Sequence, residues 1–373
     1  MNNITFVTAY YNLREKENNP YRFKDEGFCT HDWYLNSFKK LLVKDVNLII
    51  FTENRYKDYV LEQRQDKLDK TLIICKEIEE LRLWDKYQKF IDNDKRYHIS
   101  NYCTKKFTPL FYLIVNSKVD FVEESINLNH FNTDYFSWID VRGLDASPVT
   151  DDFFYNIHKY TSPDHLRINV MAYTPNYWIN QKNDYYSIFK GNIAGGFWIG
   201  CKEVLLQFIN YVHQELDWVL ENGFAVTEEM VFGMVFAQHK DIFDPYYGDY
   251  NSVIRNLDGI HEHLYLALNS LNTAYDENNH TYVNHITKTI RDSHNRAFIT
   301  LENHELIDVW NKSYMSLYYL GKQNEACDVI LDLMEKSKTN ENIFNILKNS
   351  KDYYMNNFSY LNNEVINNWT NNL

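Results

Sequence analysis

"YFSWIDVRG", residues 135–143, is a run of apolar side chains that ends on an acid. Tyr135, Phe136, Trp138 and Ile139 read as a buried strand. Asp140 then breaks the pattern. Only Val141 follows before the charged Arg142 and Gly143, a residue that weakens a strand. A carboxylate at the tip of so apolar a strand needs a reason, and the surrounding sequence supplies one.

Upstream, "ITFVTAYYN" (4–12), "VNLIIFTEN" (46–54) and "KTLIICKEI" (70–78) are rich in β-branched and aromatic residues and read as further strands. "HDWYLNSFKKLLVK" (31–44) has helical spacing. So do "TKKFTPLFYLIVNS" (104–117), with Pro109 near its first turn, and "VDFVEESINLN" (119–129). Strands alternating with helices predict an α/β fold, a mostly parallel sheet flanked by helices. In such sheets ligands sit outside the carboxyl ends of the strands. Asp140 and the "TAYYN" end of the first strand both lie there.

Residues 151–190 predict a long irregular connection with short strands. "KEVLLQFINYVHQELDWVLENG" (202–223) predicts an amphipathic helix ended by Gly223, and "TEEMVFGMVFAQHK" (227–240) a second helix. From about residue 260 only helical periodicity remains. The expected organisation is an α/β domain over 1–258 and an all-helical C-terminal domain over 259–373.

The 373 residues carry a formal net charge of −13, which argues against a general nucleic-acid or anionic-membrane binder. Five cysteines without a CxxC pair argue against a disulfide framework or zinc site and fit a reducing, cytoplasmic compartment. No run approaches the roughly 20 apolar residues of a membrane span, and the first residues lack a cationic leader. The expectation is a soluble protein, with peripheral membrane association left open and the oligomeric state undetermined.

Five places can carry chemistry. Asp140 can ligate a divalent cation that bridges a substrate diphosphate, since Mg²⁺ and Mn²⁺ take hard oxygen ligands; its plain alternative is a turn or helix cap. Lys118 can neutralise phosphate, or be a surface lysine. "GNIAGGFWIG" (191–200) holds four of the chain's eleven glycines, among them Gly195 and Gly196. Glycine permits positive φ and close approach of backbone to a ligand, or else forms a turn with a bulge. In "VTEEMVF" (226–232), Glu228 and Glu229 can serve an acceptor hydroxyl as base or positioning group, or merely the helix dipole. "DPYYGDYNSVIRN" (244–256) reads as an aromatic loop in which Asp249 can be a further ligand. GxGxxG, P-loop, HExxH and GxSxG patterns are absent.

Taken in order, "FVTAYYN", "NSKVDFV" with "FNTDYFSWID", "AGGFWIG", "TEEMVF" and "YYGDY" resemble the HtrL/YibB-like family, whose members look like GT-A-fold glycosyltransferases. The resemblance spans roughly residues 4–250. It implies a GT-A-like, Rossmann-like sheet and transfer of a sugar from a nucleotide-sugar, UDP-sugars first, to a hydroxyl of a glycan or glycoconjugate acceptor. It further implies Mn²⁺ or Mg²⁺ on Asp140, which stands for the acid of a DxD motif. By the same likeness Thr8, Tyr10 and Asn12 would edge the nucleotide, Lys118 would face the diphosphate, and Glu228 or Glu229 the acceptor. The chain departs from DxD in having Arg142 at the second acid's place. Either Asp140 works with a distant ligand such as Asp249, or Arg142 replaces part of the metal's charge. The alternative is a carbohydrate- or nucleotide-binding protein that keeps the fold without turnover.

Overall fold

The computed structural model describes residues 3–13, 30–94 and 107–349. The start of the helix expected at 104 therefore lies partly outside the described residues. The chain divides into two compact units, Met1–Asp258 and Gly259–Leu373.

The first unit is built on seven strands: β1 (Ile4–Tyr10), β2 (Asn47–Thr52), β3 (Thr71–Cys75), β4 (Tyr135–Ile139), β5 (Leu166–Val170), β6 (Ile193–Cys201) and β7 (Phe243–Tyr247). They form one sheet in the order β3-β2-β1-β4-β6-β5-β7. β3, β2, β1 and β4 run parallel, β7 is parallel to β5, and β6 is antiparallel to both of its neighbours, β4 and β5. This is the α/β class expected from the sequence, a mostly parallel sheet flanked by helices.

Parallel strands covered on both faces are apolar nearly throughout, and Leu48, Ile49, Ile50 and Phe51 of β2 are all fully buried. On one face Ile4, Phe6, Leu48 and Ile50 pack with Phe38, Leu41 and Leu42 of the helix His31–Leu42. The helix Pro109–Asn116 starts where its sequence directs. Pro109 occupies the first turn, where no N–H is needed, and the Thr108 hydroxyl caps Phe111 N at 3.1 Å. The helix Lys118–Leu128 follows at once. The helix Lys202–Glu221 buries Phe208, Ile209, Val212 and Leu216 on one stripe, and Gly223 takes the left-handed conformation beyond it (φ 86°).

Three expectations are corrected. The stretch beginning at 244 is not all loop: its first residues belong to β7, because Pro245 sits on an edge strand, where its missing N–H costs no ladder bond. Residues 151–190 hold a single strand, β5, beside the short helices Asp151–Asn156 and Lys182–Ser187. The glycines of 191–200 are not there for positive φ. Among the described residues the left-handed glycines are Gly223, Gly259 and Gly321, whereas Gly195 and Gly196 lie within β6.

The second unit shows five helices and no strand among the described residues: Leu264–Asp276, His280–Asn295, Asn303–Tyr319, Gln323–Ser337 and Glu341–Asn349. Trp310 is fully buried, and its indole N–H reaches Asp332 Oδ2 at 2.9 Å. No helix among the described residues is long and apolar enough to cross a membrane.

One buried cation staples the edge of the sheet. Arg64 is fully buried and donates to the carbonyls of Leu42 (2.9 Å), Lys44 (3.1 Å), Val46 (2.9 Å) and Lys70 (3.2 Å), and to Thr71 Oγ1 (2.5 Å). It joins the end of the first described helix to the starts of β2 and β3. A buried acceptor left unpaired costs roughly 1–3 kcal/mol. Arg64→Met orphans several at once and is expected to lose at least about 3 kcal/mol in denaturant unfolding. A loss under about 1 kcal/mol contradicts the staple.

Candidate active site

Asp140 follows the last residue of β4. Its N–H continues the ladder by donating to Gly196 O at 2.9 Å, and Gly143 N returns to Asp140 O at 2.7 Å, closing a turn. The aspartate is thus both a turn residue and a strand-tip acid. Its Oδ1 accepts from Trp138 Nε1 at 2.7 Å. Trp138 stands two residues earlier and so on the same face of the strand.

The second contributor is Lys118, the first residue of its helix. A cation at a helix N-terminus is opposed by the macrodipole, so other charges must hold it. Its ammonium lies 2.9 Å from Asp140 Oδ1, 3.2 Å from Asp140 Oδ2 and 2.6 Å from Glu228 Oε1, and donates to Gly195 O at 3.2 Å. An ammonium has three protons, and three protein groups take them. Lys118 therefore faces two carboxylates and a carbonyl, not open space for a diphosphate as the resemblance implied. Its side chain is 8% exposed and that of Glu228 5%, while Asp140 keeps 36%. Burial alone would lower the lysine's pKa, but Asp140 and Glu228 outweigh it and hold the pKa above the ordinary lysine value.

Glu228 and Glu229 open the helix Glu228–Gln238, where carboxylates suit the dipole. Thr227 stands at the N-cap position, yet its hydroxyl makes no cap bond. The two acids part company. Glu228 turns into the lysine; burial raises its pKa, and Lys118 offsets this only in part. Glu229 Oε1 accepts from Gly195 N at 3.3 Å, and its Oε2 accepts from the Tyr250 hydroxyl at 2.7 Å. Burial, then the neighbouring Glu228 charge, pushes Glu229 up to about 7.

Strand β6 makes this convergence possible by lacking side chains. A Cβ on Gly195 would stand 2.4 Å from Glu228 Oε1, an impossible contact. On Gly196 it would lie 3.5 Å from Asp140 Oδ2, in the space in front of that oxygen. The glycines thus give close approach, though to carboxylates of the protein itself.

The remaining predicted residues make other contacts. Thr8 is fully buried with its hydroxyl unpaired. Tyr10 belongs to the core and bonds His31 Nδ1 at 2.7 Å, and buried Asn12 donates its N–H to Glu53 Oε2 at 3.1 Å. The Arg142 guanidinium stacks 3.9 Å from the Trp33 ring centroid. Asp249 Oδ1 accepts from Asn251 N at 2.8 Å and Ser252 N at 3.2 Å, closing its own turn. Among the described residues, Asp120, Glu123 and His213 bring three potential ligands together, but Arg82 already reaches Glu123 at 2.8 Å and Asp120 at 3.5 Å.

Sequence reasoning passed over Trp138 and Tyr250. The first has a readable signal, the i, i+2 relation to Asp140 on a strand. The second lies inside the quoted "YYGDY", but nothing local points it at Glu229, 21 residues earlier.

Removing Lys118 strands buried charge. Deleting one partner of a buried ion pair costs about 3–5 kcal/mol, and Lys118→Met is expected to lose that much in denaturant unfolding. Lys118→Met/Glu228→Gln is expected to lose less, because the buried carboxylate goes too. If the double variant is no more stable than the single one, the lysine is held by packing and not by its acids.

Two comparisons bear on relatives. Protein HtrL of Escherichia coli (strain K12) is 22% identical over 251 residues, covering 64% of this chain and 86% of that protein. Mouse xyloside xylosyltransferase 1, in its apo crystal structure, is 11% identical and superposes with a TM-score of 0.33 over 64% of this chain and 83% of that one. Residues 2–259 match the family described as bacterial proteins of unknown function, HtrL_YibB. That span takes in the whole sheet and every residue of the carboxylate–lysine cluster, and the chain belongs to the HtrL_YibB family.

Proposed function

We propose that the chain is a glycosyltransferase. It would move a sugar from a nucleotide-sugar, a UDP-sugar in the first instance, to a hydroxyl of a glycan, protein-linked or lipid-linked acceptor. The observation that carries this reading is the cluster at the end of β4. Asp140 stands there in front of bare Gly196, Lys118 fixes it against Glu228, and Glu229 lies alongside. A GT-A-like sheet puts that strand end where ligands bind.

The cluster fits a divalent cation through a single carboxylate. Two acids against one ammonium leave a net negative charge, which repels a diphosphate unless a cation joins it. Asp140 Oδ2 receives only the longer of the two lysine contacts and faces the space that Gly196 leaves open. Asp140 would hold Mn²⁺ or Mg²⁺, and diphosphate oxygens and water would complete the shell. A cation there supplies charge neutralisation for the leaving diphosphate. Asp249 is committed to its turn, so a second protein carboxylate from that position is no part of this reading.

Glu229 is assigned the acceptor side. As the acceptor oxygen bonds to the anomeric carbon, the bond from that carbon to the diphosphate oxygen breaks and nucleoside diphosphate leaves. Glu229 takes the acceptor's proton. Glu228, locked on Lys118, positions the lysine and through it Asp140.

The pH dependence follows from Glu229. Its folded pKa, about 7, lies above the ordinary 4.5, so the folded state holds a proton that the unfolded chain releases. The stability this contributes is present below about pH 4.5 and is lost as pH rises through about 7. The base form appears over the same range. Turnover of UDP-sugars is therefore expected to rise through about pH 7 while the Tm falls. Glu229→Gln is expected to remove both slopes and cut the rate by roughly 10²–10⁴-fold, with UDP affinity preserved. Sugar binding without turnover by the native protein across a donor panel would instead favour the non-catalytic alternative.

A further inference from the structure

We infer that Tyr250 is the floor of the acceptor subsite, a platform on which a pyranose ring stacks so that one of its hydroxyls meets Glu229. The inference rests on the sugar-transfer reading of the site and extends it to the acceptor's chemistry.

Tyr250 is anchored at one end and open elsewhere. Its hydroxyl is tied to Glu229 Oε2 at 2.7 Å and lies over Gly191, where a Cβ would come within 3.5 Å of it. The residue as a whole is nonetheless 47% exposed. The bond to Glu229 fixes the tip.

The backbone beneath it is held. Tyr250 is the second residue of the turn that Asp249 closes through Asn251 N and Ser252 N, and Asp249 N donates to Ser252 Oγ at 2.9 Å. Gly248 lets the chain enter this turn: a Cβ there would stand 2.5 Å from Ser252 Oγ. Asp249 thus acts by shaping the turn that carries the tyrosine.

A fixed aromatic face beside a carboxylate matches a sugar. The C–H face of a pyranose is apolar and packs on a ring, while its rim of hydroxyls donates to carboxylate oxygens. A flat apolar ligand would gain the ring but nothing from Glu229. A polar ligand without a C–H face would gain the reverse.

Saturation-transfer NMR on the full chain tests this, with methyl β-D-glucopyranoside and methyl β-D-galactopyranoside as acceptor probes and UDP with Mn²⁺ as the donor probe. The native protein and Tyr250→Phe, which keeps the ring, are expected to saturate the C–H protons of one sugar face. Tyr250→Ala is expected to weaken that signal at least fivefold, with the UDP signal equal in all three proteins. The inference is overturned if the native protein binds neither pyranoside, or if Tyr250→Ala keeps the native pattern. If UDP gives no signal while the pyranoside pattern behaves as expected, the donor reading fails and the sugar platform stands.

Discussion

The site depends on one ammonium held where a helix would rather not have it. Lys118 opens its helix at the unfavourable end of the dipole and is almost wholly buried. The carboxylates of Asp140 and Glu228, with the Gly195 carbonyl, make that position tenable. Because they come from a strand tip and from another helix, the lysine fixes three elements relative to one another. A buried pair of this kind is worth little as net stability, while breaking it is costly because it strands an unpaired charge. Here the arrangement leaves Asp140 partly open at the carboxyl end of β4.

The second constraint is the bare stretch of β6. An antiparallel strand between β4 and β5 would ordinarily fill the space above Asp140 and Glu228 with side chains. Gly195 and Gly196 leave room for the acids, and Gly195 adds both of its backbone groups, the carbonyl to Lys118 and the N–H to Glu229. Each acid is thereby given a different surrounding. Asp140 stays part-exposed, Glu228 is sealed on the lysine, and Glu229 is raised to about 7 by burial and by its neighbour's charge. Three similar side chains within one site can then take different roles.

Much of this was legible in the sequence, for reasons that differ by element. Apolar strands and helical periodicity are local, so the strands around Asp140, the helix from Lys118 and the helices after residue 260 could be read directly. β7 escaped because Pro245 and Gly248 look like loop residues until the edge position of that strand is known. Asp140, Lys118, Glu228 and the glycines were each singled out, but their pairing was not. Lys118 and Glu228 are 110 positions apart, and no period connects them. The lysine's partners, and the difference between Glu228 and Glu229, exist only once β6 lies beside β4. Thr8 and Tyr10 show the opposite limit. Polar atoms on a strand end suggested a ligand edge, while tertiary packing buried both residues.

In the proposed mechanism Asp140, set by Lys118 and facing Gly196, meets a cation-bound diphosphate. Titration calorimetry of UDP in Mn²⁺ and in EDTA, for the native protein and for Asp140→Asn, tests it most directly. Mn²⁺ is expected to tighten UDP binding at least tenfold, about 1.4 kcal/mol, in the native protein and not in Asp140→Asn. Equal UDP affinity with and without Mn²⁺ in the native protein, or a full Mn²⁺ effect surviving in Asp140→Asn, would contradict it.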